Sequence, residues 1–422
     1  MAERRSLLSS QARVQAPWVK VTIGNYTFGV FDKKTKNLFT GNGEFYSYFN
    51  IQYPNYIQGL NITKINGQVN QYTLSINYPI RNTDDPNFFE KVFSSVSSTR
   101  KITFSYGDSS MPSYIYKDEE AIITGISQTF NLDQSTINYQ VKAVSSSVVG
   151  KTGAYNFMYS GMFKPSEIIK KVFLNKTYGL QDLFTGMNES NYHQLVAGDD
   201  KVVKLAPKTN ISPLDYLTYL VSCMIPAGAT TNNLSSEIYI LTIHDDTVYD
   251  KLYNDTVTLG GPYFKVTKTS NNIQNADAYE VDIGYNTSNI VLGFSIESNE
   301  NYSLYYDYNE KLHPETYTRR LNNKGEWEDV YAPTYTSGNS TFSTRAEDIN
   351  WFTKVTKYPI SASIKIQGLL RPAQLMQYLR LNVIFPGGNK HISSGLYIVT
   401  KQVDDISMSG YTTTLSITRI SN

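Results

Sequence analysis

Short runs in which apolar and polar side chains alternate recur along most of this chain, and a period of two restricts them to β-strands with one face in a core and the other in water. Trp18-Val19-Lys20-Val21-Thr22-Ile23 meets Gly24-Asn25 and then Tyr26-Thr27-Phe28, a hairpin with a two-residue turn. The same alternation runs through Tyr72–Tyr78 and Lys101–Tyr106, and through Ala121–Phe130 followed by Thr136–Val144. One helix breaks the series: Asp85 serves as N-cap, Pro86 as first helical residue, and Phe88, Phe89, Val92 and Phe93 fall at helical spacing. Residues 17–148 therefore read as an antiparallel β-barrel domain with one short helix, preceded by an N-terminal arm over residues 1–16.

From Val149 the pattern changes. Pro165-Ser166-Glu167-Ile168-Ile169 opens one helix, and Ser212-Pro213-Leu214-Asp215 opens another in which Ser212 caps the free amides and Asp215 completes an acidic first turn. With the strand Glu237–His244 these form a small α+β insert over residues 149–260. Strand grammar returns after Gly260-Gly261-Pro262, in Tyr279–Ile283, Asn289–Ile296, Ser361–Ile366, Gly395–Val403 and Tyr411–Ile420, with a helical stretch expected at Pro372–Tyr378. The last domain, residues 261–422, is thus a second barrel carrying a polar, Tyr-rich insertion at about 300–344. The fold class is mainly β with an α+β insert: two antiparallel barrels, each with a short helix, and a small helix-containing domain.

The two barrels echo one another. Setting Phe130 against Ile406 aligns the closing hairpins without a gap, Thr136 with Thr412 and Val141 with Ile417, while Ile122, Ile123 and Thr124 meet Ile398, Val399 and Thr400. A helix is expected before each hairpin, near Phe88 and near Leu375. Period-two alternation alone gives any two hairpins some likeness, so the helix carries much of the case for one plan used twice. Three chains with two equivalent barrels each would make a ring of six.

That order of elements resembles the baseplate hub proteins of contractile-tail bacteriophages and related contractile injection systems. The likeness rests on the Trp-led strand Trp18–Val21, the helix before the first barrel's last strands, the helices from Pro165 and Ser212, and the closing strands Gly395–Val399 and Gly410–Leu415. It implies two tail-tube-like barrels per chain in a homotrimer that adapts a hexameric tail tube to a threefold central spike during tail assembly and genome ejection. The implied partners are the tail tube protein ring, the central spike protein and other baseplate proteins. DNA would pass only transiently through the channel, with no membrane insertion. The implied location is the virion baseplate, assembled in the host cytoplasm. Nothing after Ser421-Asn422 is left to form a spike or wall-degrading domain, so those roles are expected in other chains.

Composition bears on what else the chain can do. With 38 basic against 37 acidic residues the net charge is +1, too balanced a field to hold a nucleic-acid backbone or an anionic membrane. Charged residues make up only 18%, and 34 Tyr with 19 Phe raise the aromatic share to 13%, which implies a neutral, polar, adhesive surface. Cys223 is the single cysteine, so no internal disulfide forms and a reduced compartment of assembly is expected, with Cys223 a buried, inert thiol. The N-terminus lacks the apolar core of a signal peptide, and no run approaches a membrane span.

No catalytic, cofactor-binding or metal site is expected, and no enzymatic activity. His193, His244, His313 and His391 are far apart in sequence, and no His-x-x-x-His or Cys-x-x-Cys pair exists. His244-Asp245-Asp246 and Asp404-Asp405 read as solvated strand ends. Asp84-Asp85 and Asp118-Glu119-Glu120 read as loop carboxylates and not as a glycosidase pair. Gly260-Gly261-Pro262 leads into a strand and cannot seat a phosphate at a helix N-terminus. Tyr302, Tyr305, Tyr306, Tyr308, Tyr317, Tyr331 and Tyr335 suit a protein interface, where tyrosine adds area at small entropic cost, or the faces of sugar rings. A carbohydrate-binding receptor-binding tail protein and a β-rich glycoside hydrolase are the competing functions.

Overall fold

The computed structural model describes residues 16–30, 51–54, 56–81, 84–108, 114–131, 133, 135–174, 180–227, 237–244, 247–250, 262–269, 278–285, 291–298, 317–321, 327–331, 360–368, 375 and 378–421. The strands are β1 (Pro17–Ile23), β2 (Tyr26–Val30), β3 (Tyr53–Pro54), β4 (Ile57–Ile65), β5 (Gln71–Pro79), β6 (Lys101–Asp108), β7 (Tyr114–Asn131) and β8 (Thr136–Ser145). Then come β9 (Tyr155–Phe157), β10 (Gly161–Phe163), β11 (Val203–Leu205), β12 (Lys208–Ile211), β13 (Tyr239–His244), β14 (Thr247–Asp250) and β15 (Tyr263–Lys268). The last are β16 (Ala278–Gly284), β17 (Val291–Ser298), β18 (Tyr317–Leu321), β19 (Trp327–Tyr331), β20 (Ile360–Gln367), β21 (Tyr378–Ile384), β22 (Gly395–Ser407) and β23 (Gly410–Ser421). Among the described residues four α-helices join them: α1 (Phe88–Ser94), α2 (Pro165–Phe173), α3 (Tyr192–Leu195) and α4 (Pro213–Ser222).

The chain is mainly β. Fifteen strands form one sheet whose principal order is β17-β20-β23-β22-β4-β5-β8-β7-β6-β1-β2-β3. Among the described residues this sheet is open, and neither set of strands closes on itself as a separate barrel. Instead β22 of the later set pairs directly with β4 of the earlier one, Lys401 opposite Ile65 through Ser407 opposite Gly59.

The echo between the two regions is present in the pairing registers. In the first set β4, β5, β8, β7 and β6 are neighbours in that order; in the second, β17, β20, β23, β22 and β21 are. Both β7 and β22 carry a bulge at a threonine, Thr124 between Ile123 and Gly125, and Thr400 between Val399 and Lys401. Each threonine hydroxyl donates across the hairpin at 3.2 Å, Thr124 to the carbonyl of Lys142 and Thr400 to that of Ser416. A second bulge repeats as well: Ile57 and Gly59 face Ile76 and Ser75, just as Val291 and Gly293 face Ile366 and Lys365. An extra residue at one point of a ladder bends and twists a strand locally, so two bulges in matching places give the two sets the same curvature.

Three sequence expectations are corrected. The hairpins do not align without a gap, because Asn131 pairs Thr136 whereas Ser407 pairs Gly410, a turn two residues shorter; Val141 therefore corresponds to Leu415. Asp85 is not an N-cap: α1 starts at Phe88 behind Asn87, and Asp85 accepts from the Asn87 amide at 3.0 Å and pairs with Lys91 at 2.5 Å. Leu375 lies in a turn and Tyr378 begins β21, while the rest of the Pro372–Tyr378 stretch falls outside the described residues. The Ser212 cap holds, its hydroxyl accepting from the Asp215 amide at 3.2 Å and donating to the Asp215 carboxylate at 2.6 Å.

Among the described residues four apolar clusters support these layers. One gathers residues of β1–β8 with Phe89 and Val92 of α1 and takes in Ile406 and Tyr411 from the later strands. A second gathers α2, α4, β13 and β15, and a third lies under β20–β23. A small fourth cluster joins Ile238 to Leu396, Ile398 and Ile420.

Candidate functional site

The alternation that builds the sheet also gives it a continuous face turned away from the cores. Opposite pairs on that face are short and polar: Asn61 with Thr73, Ser75 with Gln140, Ser363 with Ser416, and Ser361 with Thr418. Asn77 donates to Asn138 across the same face at 2.8 Å. Its charges are few and mixed, among them Lys142, Lys365 and Lys401 against Asp405 and Glu297. A surface of hydroxyls and amides with balanced charge offers no phosphate a lasting counter-ion.

Two of the stretches with no strand beside them among the described residues lie at corresponding places in the two strand sets. Beyond the Thr124 bulge, β7 leaves β6 and continues to Phe130 with only β8 at its side. The outer edge of β17 is the other. Both edges expose apolar side chains: Ile126 at 43% and Phe130 at 57% on β7, Leu292 at 53% and Ile296 at 37% on β17. A groove of about 340 Å3 lies beside the first edge, between Phe93 and Val96 of the α1 region and Ile123 and Ile126.

Where the two strand sets join, the core is polar. Lys64 of β4 and Glu119 of β7 are both buried and meet at 3.1 Å. Tyr72 and Tyr106 donate to the same carboxylate at 2.6 and 2.9 Å, and the Lys64 ammonium lies 4.2 Å from the centre of the Tyr116 ring. On β22, the strand paired with β4, the buried Asp404 accepts from Gln402 at 2.6 Å, Thr413 at 2.6 Å and Tyr411 at 3.1 Å. Burial pushes the Asp404 carboxyl up, against the opposing pull of those bonds and of the Lys64 charge. Both carboxylates of this cluster face inward and accept from the donors around them, an arrangement that holds strands in register and leaves neither open to a substrate.

Two sequence readings are thereby revised. Asp404 is no solvated strand end: it sits within β22 and is fully buried. Asp118-Glu119-Glu120 is not a loop but part of β7, with Glu119 inward and Glu120 paired to Lys101 at 2.8 Å on the surface. Much of the tyrosine content goes to cores as well, since Tyr72, Tyr106, Tyr116, Tyr216, Tyr397 and Tyr411 are all fully buried. Sequence reasoning missed this cluster because neighbouring carboxylates look alike in a string; the inward position of Glu119 follows only from the register of β7.

The remaining candidates stay apart. His193 lies in α3, His244 ends β13, and His391 bonds Ser393 at 2.6 Å. Cys223 is buried at the end of α4. Among the described residues no three metal-ligating side chains converge. Asp245, Asp246, His313, Gly260, Gly261, Tyr302, Tyr305, Tyr306, Tyr308 and Tyr335 lie outside the described residues, as do residues 1–15, nearly all of the arm. Tyr317 and Tyr331 are register partners in the β18–β19 hairpin.

No family model and no curated protein matches the sequence. Among the solved structures to which the chain is similar are tail proteins and a secretion-system component. A tail protein from Neisseria meningitidis MC58 aligns over 96% of this chain and 97% of its own, with 9% identity and a TM-score of 0.47. The 43 kDa tail protein of prophage MuSo2 from Shewanella oneidensis gives the same coverage, identity and score. An E. coli component of the type VI secretion system aligns over 87% of this chain and 75% of its own, at 8% identity and a TM-score of 0.46.

Proposed function

We propose that this chain is a non-enzymatic baseplate hub of a contractile tail, a homotrimer that adapts a hexameric tube to a threefold spike during tail assembly and genome ejection. The observation that carries this reading is the repeated strand set, with both bulges in matching registers, joined edge to edge within one chain. A threefold assembly of such chains presents six near-equivalent sheets, which is what a sixfold ring of tube protein requires of its neighbour. The polar, charge-balanced face supports a role as channel lining, past which DNA moves without being held.

In this reading residues 17–148 and 261–422 are the two tube-like units, with the tract at about 300–344 an insertion in the second, and residues 149–260 are a helix-containing unit set between them. The tube ring, the central spike and other baseplate proteins are its partners. No cofactor or metal takes part. The protein is placed in the virion baseplate after assembly in the host cytoplasm. Native mass spectrometry of the purified chain tests this: a trimer that recruits tube protein is expected. A chain that stays monomeric at micromolar concentration and ignores the tube protein overturns it.

A further inference from the structure

The bare edges of β7 and β17 correspond, strand for strand, to the two strands that already join within the chain. β22 turns from β21 to β4 at its Thr400 bulge. β7 turns from β6 at its Thr124 bulge, and the arm beyond it has no such partner among the described residues. β17, matched to β4 by the shared bulge, is likewise bare on the side where β4 receives β22. Carrying the inner register across places Phe130 where Ile406 lies, Phe294 where Leu60 lies and Ile296 where Ile62 lies.

We propose that the Gly125–Phe130 arm of β7 pairs antiparallel with β17 of a second copy of this chain, Phe130 opposite Phe294, Thr129 opposite Ser295, Gln128 opposite Ile296 and Ser127 opposite Glu297. This rests on the trimeric reading and names its joint. The chemistry of the two faces supports the register. At the inner junction Ile406, Leu60 and Ile62 are at most 1% exposed, while their counterparts are apolar in every case and Phe130 and Ile296 are open to water. Burying side chains of that size is favourable in proportion to the apolar area taken from water. On the other face Ser127, Thr129, Ser295 and Glu297 continue the polar lining. The joint is heterologous, since a β7 arm meets a β17 edge, and in a closed threefold ring its repetition leaves neither edge bare.

The joint also differs from the inner one in a way that keeps them distinct. Gln402 and Asp404 give the inner junction its buried polar groups, whereas Ile126 and Gln128 stand in their places on β7 and Ser298 stands where β4 has Lys64. Seating β7 against the β4 of another copy would put Ile126 and Gln128 in the places of Gln402 and Asp404 and take the Asp404 charge away from the buried Lys64, an unfavourable exchange for a buried cation.

Cysteine pairs test the register. The unmodified chain, with only buried Cys223, is the blank, and Asn61→Cys with Asp405→Cys reports what a registered pair yields inside one chain. Oxidised Thr129→Cys with Ser295→Cys is expected to give a covalent trimer on a denaturing gel, and Thr129→Cys with Glu297→Cys, two residues out of register, is expected to lose that product. Phe130→Lys should convert trimer to monomer while leaving the circular dichroism spectrum unchanged, because Phe130 is exposed within the chain. A trimer by native mass spectrometry in which the registered pair does not cross-link, or which survives Phe130→Lys, overturns this joint and leaves the hub reading standing. Cross-linking of Thr129→Cys alone into dimers would show β7 pairing with itself and overturn it too. Absence of both trimer and cross-link overturns the joint and the hub reading together.

Discussion

At the scale of single residues the most consequential placements are buried charges. Lys64 and Glu119 hold one another inside the core with two tyrosine hydroxyls completing the carboxylate's partners. Removing one member of such a pair strands the other, so Lys64→Ala should cost roughly 3–5 kcal/mol, read as a lower midpoint in chemical denaturation. Asp404 acts in the opposite sense. Its folded-state value is raised by burial, so its contribution to stability is full below the unfolded value and is lost as pH rises through the folded one. Asp404→Asn should therefore gain stability relative to the parent as pH climbs above about 4, measured by denaturation across pH. Gln402 can accommodate the change, because its Oε1 accepts no bond at present and a flipped amide would receive the new donor.

At the scale of elements, local signals hold where a backbone need and a side chain coincide. Ser212 caps α4 through the Asp215 amide, and Ser212→Ala should destabilise by about 1 kcal/mol in denaturation. Asp85 shows the limit of such signals. It has the right residue type before a helix, but its carboxylate is taken by Asn87 and Lys91, and the helix begins later. Glycine matters where β16 meets β21: Gly284 has φ +106° and a Cβ there would collide with the Ile384 carbonyl. Gly284→Ala should loosen that parallel pair, seen as faster amide hydrogen exchange in β16 and β21.

At the scale of the whole molecule, the sheet of one chain is open at β7 and β17 among the described residues. Its edges carry apolar side chains that a stable monomer would be expected to blunt with charge or proline. Assembly through them makes stability depend on mass action, so the thermal midpoint should rise with protein concentration, and Phe130→Lys should abolish that dependence. The polar face argues in the same direction. A lining with no dominant charge should bind double-stranded DNA too weakly to detect at physiological salt, and tight binding in an anisotropy titration would count against its use as a channel wall.

Alternation by itself determined that the chain is mainly β, and it located most of the strands, because side-chain period is a local property of the string. The helices at Pro165 and Ser212 were equally legible, since caps and prolines act over one turn. Repetition of the plan was visible at Thr124 and Thr400, although the tighter Ser407–Gly410 turn shifted the second arm by two residues and hid the true partners. Only the tertiary structure decided that the two sets share one open sheet, that Glu119 and Asp404 lie inside it, and which edges remain unpaired. Those outcomes depend on register between strands far apart in sequence, and register is set by the packing of whole faces, which no short window of residues contains.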